Sequence, residues 1–129
     1  MSATAVTLAL RMDRISLTVP ADPAFRGTMR LVVGGIGSRL RLPYEQVNEL
    51  QLAVETLVSN RVAMGPSLVV EADVDGGAAC LAVGPFAPDA DAVGLRVLER
   101  LVREARVTRR DGQAEWVELV VGEPPEAAT

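Results

Sequence analysis

The first regular segment of the chain alternates between apolar and polar residues. Ile15, Leu17 and Val19 are separated by polar residues, which is the pattern of a half-buried strand. Segment 20–23 ends this strand, because Asp22 suits a helix N-cap and Pro23 suits the first helical position, where a missing N–H costs nothing. The pattern therefore predicts a strand that is followed at once by a helix.

Three segments repeat apolar residues at helical spacing. The first begins after Pro23, the second runs from Pro43 to a stop at Gly65 and Pro66, and the third begins at about Asp89. Their apolar positions are Phe25, Met29, Val32, Ile36 and Leu40, then Val47, Leu50, Val54, Leu57, Val58 and Val62, then Val93, Val97, Leu98, Leu101 and Val102. The spacing predicts three amphipathic helices, each with one face against a core.

Two hairpins complete the pattern. Segments 68–74 and 78–83 flank Asp75, Gly76 and Gly77, and segments 107–110 and 115–121 flank Asp111 and Gly112. The proline-containing segment 84–88 ends the strand before it. The predicted order, β-α-α-β-β-α-β-β, indicates an α+β two-layer sandwich, in which three helices cover one face of a mostly antiparallel mixed sheet. We expect one domain over 14–121, an N-terminal extension over 1–13 and a flexible tail over 122–129.

The charged residues exclude several kinds of chemistry. The net charge is −4 over 129 residues, so the basic surface typical of nucleic-acid binding is absent and we expect no direct nucleic-acid partner. All of the basic residues are arginines. Without histidine or lysine the chain has no phospho-accepting histidine, no histidine metal site and no P-loop lysine.

The single cysteine and the lack of a long apolar stretch indicate the compartment. Cys80 lies in the apolar run 78–83 with no cationic neighbour, so we interpret it as a buried structural thiol rather than a reactive one. A lone cysteine fits a reducing environment, and no segment has the length and hydrophobicity of a membrane span. We expect a soluble, cytoplasmic protein with no membrane partner.

A glycine-rich segment, 32–37, admits two interpretations. It resembles a strand that enters a phosphate-binding loop, but it lacks the third glycine of a dinucleotide fingerprint and the lysine of a P-loop. The alternative is a stretch of small residues within the first helix that allows close packing against the sheet or another subunit. We favour this second interpretation.

Four segments carry a resemblance to a known family: 19–31, 35–40, 50–54 and, more weakly, 94–101. Together they resemble the anti-sigma factor serine kinases, over a span from about Ile15 to Val121. The resemblance implies a histidine-kinase-type (Bergerat, or GHKL) ATP-binding fold, a homodimer, and phosphorylation of a serine on an anti-anti-sigma protein by Mg-ATP. It also implies control of a sigma factor, as in stress response or sporulation.

The family's second helix carries a glutamate that acts as a base and, four residues later, an asparagine that binds Mg²⁺. Asn60 matches the asparagine, as a remnant of a metal and nucleotide site, although it also suits the end of a helix. Thr56 stands at the glutamate position, and Glu55 lies one residue earlier. Because one residue is about 100° of helical rotation, Glu55 does not simply replace that base.

The family's adenine-binding motif and ATP lid are reduced. Gly84 falls near the first glycine of the adenine motif, while Asp89 and Asp91 suit the cap of the next helix better than an adenine contact. Gly94 and Leu95 match the end of the glycine motif that follows the lid. Only a few residues separate Phe86 from Gly94, too few to fold over a triphosphate. We therefore predict a pseudokinase with a shortened or absent lid.

The favoured function is an anti-sigma-like regulator that binds a sigma factor, an anti-anti-sigma protein or both, and requires no cofactor. Arg30 matches an arginine that the family uses for partner contact, and Arg26 and Arg39 offer further forked donors to acidic groups, although solvated arginines explain them equally well. The alternatives are an active serine/threonine protein kinase that uses Asn60 with Mg-ATP, and a regulator that weakly binds ATP or ADP without chemistry.

Overall fold

The computed structural model describes residues 6–10, 14–88 and 93–123. A short 3₁₀-helix, Pro23–Phe25, precedes the first α-helix, and Asp22 caps it by accepting a hydrogen bond from the Ala24 N–H at 2.9 Å. In chain order the elements are β1 (Thr7–Leu10), β2 (Arg14–Pro20), α1 (Arg26–Arg39), α2 (Tyr44–Asn60), β3 (Ser67–Asp75), β4 (Gly77–Phe86), α3 (Val93–Glu99), β5 (Glu104–Arg110) and β6 (Ala114–Glu123).

The six strands form one sheet in the order β1-β2-β3-β4-β6-β5. Every pairing between these strands is antiparallel, so the predicted α+β class is confirmed but the predicted mixed sheet is wrong. Strands β1–β2, β3–β4 and β5–β6 are joined by hairpins, and α1 and α2 connect β2 to its antiparallel neighbour β3. The connection from β4 through α3 to β5 is a crossover, because β6 lies between these two strands. Strand β1 lies within the segment that we expected to be an N-terminal extension.

One face of the sheet and the buried sides of the helices form a single apolar core. Every second residue of the strands contributes to it, as the burial of Leu17, Val70 and Leu119 shows. Helix α2 ends at Asn60, two residues before Val62, which the apolar pattern had included and which is 73% exposed. Asp89, the predicted start of the third helix, lies outside the described residues.

Helices α1 and α2 form an antiparallel pair whose close approach depends on glycine. A methyl group at Gly37 would lie 3.0 Å from a Val47 methyl carbon, and one at Gly34 would collide with the amide nitrogen of Gln51. The glycine-rich segment is therefore a helix-packing surface within α1, as favoured above, and the neighbour that it approaches is α2.

On the face of the sheet opposite to the core, arginines are paired with carboxylates of neighbouring strands. Exposed ion pairs join Arg14 to Asp73 and Arg106 to Glu118, both at 2.7 Å. Cys80 belongs to this face by strand alternation and is only half-buried, whereas we expected it to be buried. Burial nevertheless raises the pKa of the Cys80 thiol, as does the charge of Glu118, so the group is protonated at neutral pH.

Strands β4 and β6 both run past their predicted ends. Strand β4 continues to the fully buried Phe86, although Pro85 lacks an N–H, because the register shifts between Val83 and Phe86. Strand β6 extends to Glu123 and includes the first two residues of the segment that we expected to be a tail. Residues 124–129 lie outside the described part of the chain.

We predict that Gly84→Ala destabilises the fold while Gly35→Ala does not. A methyl group at Gly84 would lie 2.7 Å from the Trp116 ring and 3.1 Å from the Glu115 carbonyl oxygen, whereas nothing lies within 4 Å of one at Gly35. Overpacking at Gly84 costs about 1–3 kcal/mol. Alanine in an exposed helix position gains about 0.5–1 kcal/mol over glycine. Urea unfolding measures both changes, and equal midpoints for the two variants would contradict this packing.

Candidate functional site

The α1–α2 pair brings together two of the predicted site residues. The Arg30 guanidinium donates to the Glu55 carboxylate at 2.8 Å, and the two side chains are 50% and 36% exposed. The Gln51 side-chain amide donates to the Arg30 carbonyl at 3.0 Å, which fixes the two helices at the same level. The arginine predicted to contact a partner and the acidic residue nearest the family's base position therefore form one interhelical ion pair.

Asn60 and Thr56 interact within the last turn of α2. The Asn60 side-chain N–H donates to the Thr56 carbonyl oxygen at 2.7 Å, one helical turn earlier. This contact leaves the Asn60 amide oxygen as its remaining side-chain acceptor. Within the described residues no group of three or more aspartate, glutamate, cysteine or histidine side chains is placed to hold a metal ion.

A buried ion pair follows directly after α2. Arg61 donates to Glu115 at 2.9 Å, and the two side chains are only 11% and 6% exposed. A second arginine, Arg109, lies 3.7 Å from the other Glu115 oxygen. Desolvating these charges is costly unless they are paired, so this interaction ties the end of α2 to the start of β6. The sequence analysis did not single out either residue, because they are separated by 54 positions.

The segment after α2 also pairs with the end of β4. The Ala87 N–H donates to the Val62 carbonyl at 2.8 Å, and the Met64 N–H donates to the Pro85 carbonyl at 3.0 Å. Between these two bonds, Ala63 forms an isolated antiparallel bridge with Phe86. Backbone hydrogen bonds thus join the segment after Asn60 to the segment after Gly84.

Gly84 is enclosed by protein rather than open to a ligand. The Trp116 ring occupies the space beside its Cα, and the Arg110 guanidinium lies over that ring, 4.1 Å from the centroid. Arg110 also pairs with Glu71 at 3.0 Å. Because Gly84 has no side chain, the Trp116 indole of the neighbouring strand β6 can lie against its Cα.

Gly94 and Leu95 lie on α3 and have different surroundings. Gly94 is exposed, with no atom within 4 Å of the position of a methyl group. Leu95 is half-buried and packs against the apolar core. Asp89 and Asp91 lie outside the described residues, so their predicted capping role stays a prediction.

These contacts engage several of the residues that the family resemblance assigned to ATP binding. The Gly84 approach is filled, the chain after Asn60 is bonded to the end of β4, and Glu55 is engaged by Arg30. Two clefts on the described part of the chain are lined by residues other than Asn60 and Gly84. We derive no chemical step through a nucleotide at this position.

The three predicted partner-binding arginines do not share one face of α1. Arg26 and Arg30 are one turn apart, whereas Arg39 is thirteen residues beyond Arg26 and therefore rotated by about 220° around the helix. Arg26 is half-buried and lines a cleft of about 150 Å³ between the start of α1 and the end of α2. Its Nε is buried and has no hydrogen-bond partner among the described residues.

The fold and these contacts define an α+β two-layer domain with an exposed, charged helical pair. The chain is similar to the serine-protein kinases RsbW of Bacillus pumilus (35% identical over 51 residues), Bacillus subtilis (36% over 50) and Listeria monocytogenes (36% over 55). These alignments cover 40%, 39% and 43% of this chain but only 32%, 31% and 35% of the kinases.

The chain thus spans about a third of the length of the curated relatives that it matches. The alignments are also shorter than the predicted span of resemblance from Ile15 to Val121. No protein-family model matches the chain. Among the described helices, none has the length and apolar character needed to span a membrane.

We predict that Arg61→Met destabilises the protein by about 3–5 kcal/mol, because it removes the Arg61 guanidinium from beside the buried Glu115 charge. The double variant Arg61→Met with Glu115→Met removes both charges and should be more stable than Arg61→Met alone. Arg106→Met is the matched control: its ion pairs are exposed, so its cost is within about 1 kcal/mol. Denaturant unfolding of the four proteins measures this. If Arg61→Met costs no more than Arg106→Met, the buried pair does not hold α2 to β6.

Proposed function

We propose that the chain is an anti-sigma-like regulatory protein, which binds a sigma factor, an anti-anti-sigma protein or both through the α1–α2 pair. The observation that carries this proposal is the exposure of Arg30 on the surface of the helical pair. In contrast, the chain after α2 is hydrogen-bonded to the end of β4. A partner-binding function needs such a surface, and it needs neither a lid nor an open nucleotide site. The similarity to the RsbW kinases supports an anti-sigma regulatory role.

The proposed binding step is the pairing of the Arg30 guanidinium with a carboxylate of the partner protein. Its guanidinium has five N–H donors, and the contact with Glu55 uses one nitrogen. Because Arg30 is half exposed, an acidic side chain of a partner can bind the same guanidinium beside Glu55 or replace it. Glu55 then acts as a positioning residue that holds Arg30 in place before the partner arrives.

We further propose that the protein acts without phosphoryl transfer and without a required cofactor. Thr56 has no carboxylate, and its carbonyl oxygen accepts the Asn60 amide. Glu55, the acidic residue nearest to the family's base position, is already bound by Arg30. The histidine-kinase-type fold and the homodimer that the resemblance implies, and the cytoplasmic location expected from the lone cysteine and the lack of a long apolar segment, belong to the same proposal.

Two observations favour the alternative, a regulator that still binds ATP or ADP, or an active kinase. The Asn60 amide oxygen remains available as an acceptor, and Gly94 is exposed near the start of α3. These two residues are the retained part of the predicted nucleotide and Mg²⁺ site. Because these two residues are retained, nucleotide binding and kinase activity can be tested with the same protein.

We predict that Arg30→Ala weakens partner binding about tenfold or more, because it removes a charge-assisted hydrogen bond. Arg96→Ala is the matched control, since Arg96 is an exposed arginine on α3. Affinity capture from the native host with the wild-type protein should recover a sigma factor or an anti-anti-sigma protein, and calorimetry with the recovered partner then compares the variants. If no such partner is recovered, or if the two variants bind equally, the proposed surface is wrong.

We also predict that titration with Mg-ATP gives no measurable heat, and that incubation with labelled ATP and the recovered antagonist gives no phosphoserine. The reason is that the Trp116 indole and the paired backbone segments occupy the space that the nucleotide would need. Micromolar binding of Mg-ATP would contradict the nucleotide-independent proposal. A stoichiometric phosphoserine on the antagonist would establish the kinase instead.

A further inference from the structure

The larger of the two clefts lies at the end of the molecule away from the α2–β4 contacts. Its volume is about 660 Å³, and it is lined by the α1–α2 turn, the first turns of α2, the α3–β5 turn and the ends of β4 and β6. Leu40 in its wall follows Arg30 by ten residues, about 15 Å along the axis of α1. The cleft is therefore separate from the Arg30–Glu55 surface.

Arginines without ion-pair partners are concentrated at this cleft. Arg41 and Arg100 have neither a hydrogen bond from the guanidinium nor an ion pair within the described residues, and Arg103 donates only to the Gly122 carbonyl, at 3.2 Å. By contrast, Arg14, Arg106 and Arg110 on the open face of the sheet are each paired with carboxylates. Three guanidinium groups of the cleft thus remain available to an acidic ligand.

Arg41 has a strained backbone conformation that a glycine would adopt without strain. Its φ is 59°, in the left-handed region. The Arg41 N–H donates to the Ser38 carbonyl and the Leu42 N–H to the Gly37 carbonyl, at 3.0 and 3.1 Å, which is the Schellman arrangement that ends a helix and prefers glycine at this position. An arginine therefore stands where glycine would be more stable, which is typical of a residue retained for its side chain.

Apolar residues form another part of the cleft wall. They are Leu40, Leu42, Leu101, Val102 and Val121. Leu42 and Leu101 are only partly buried, so the wall offers apolar surface to a ligand. Next to the cleft, Tyr44 is 79% exposed, and exposed tyrosines are frequent in protein interfaces.

We propose that this cleft binds a peptide segment of a partner protein that carries both acidic and apolar side chains. The acidic groups pair with Arg41, Arg100 and Arg103, and the apolar groups cover the leucine-rich wall. Two carboxylates, Glu49 and Glu123, also line the cleft and oppose a densely charged polyphosphate. A peptide with spaced carboxylates avoids this repulsion, which favours it over a nucleotide.

The probe is a capped ten-residue peptide of mixed glutamate and leucine, titrated into the isotopically labelled protein and followed by NMR. The amide signals of residues 40–43, 100–103 and 121–123 should shift, and the affinity should fall at high salt. The analogue with glutamine in place of glutamate should bind at least fivefold more weakly. Inorganic phosphate and AMP serve as the second probe class.

The variants separate binding from stability. Arg41→Gly should raise Tm, since glycine suits the left-handed position, while Arg41→Ala should not; both should weaken peptide binding at least fivefold. Arg100→Gln should weaken binding similarly, whereas Arg96→Gln and Arg30→Ala should leave it unchanged. The proposal is overturned if the peptide does not bind, if Arg41→Gly binds as well as wild type, or if AMP causes these shifts and the peptide does not. Because Arg30 plays no part in this cleft, failure here is distinguishable from failure of the function proposed above.

Discussion

The Arg61–Glu115 ion pair is the interaction on which the functional interpretation of this fold depends. Two charges that are almost fully removed from water must be paired with each other, so the chain after α2 is held against the start of β6. This restraint places Val62, Ala63 and Met64 in hydrogen-bonding reach of the end of β4. Backbone hydrogen bonds consequently join the chain after Asn60 to the chain after Gly84, the two residues that the family resemblance assigned to a nucleotide site.

The same distribution of charge explains why the helical pair and the large cleft remain candidates for binding. On the open face of the sheet the arginines are neutralised by neighbouring carboxylates, and exposed pairs of this kind add little stability. Arg30 is positioned by one carboxylate but stays half exposed, and Arg41 and Arg100 have no ion pair within the described residues. The arginines thus fall into a paired group that covers the sheet and a less satisfied group on the helices and turns.

Much of the fold was predictable because its signals are local. The alternation at Ile15, Leu17 and Val19, the helical stripes and the turn at Asp111 and Gly112 each depend on neighbouring residues, and each produced the predicted element. The contacts between Gly84 and Trp116, and between Arg61 and Glu115, depend on which strands are neighbours and in which register. Composition and spacing contain no information on which strands pair or in which register, so these two contacts could not be predicted.

The glycines of α1 show how a scaffold of this kind separates structure from binding. Gly34 and Gly37 are needed because α2 lies against them, whereas Gly35 faces open space and gains nothing from lacking a side chain. At the end of the same helix the preference is reversed, since Arg41 occupies a position that favours glycine. Packing therefore accounts for the glycines that face α2 but not for the arginine at the helix end. A binding role for the Arg41 side chain supplies the missing reason, and it does not involve Asn60 or Gly84.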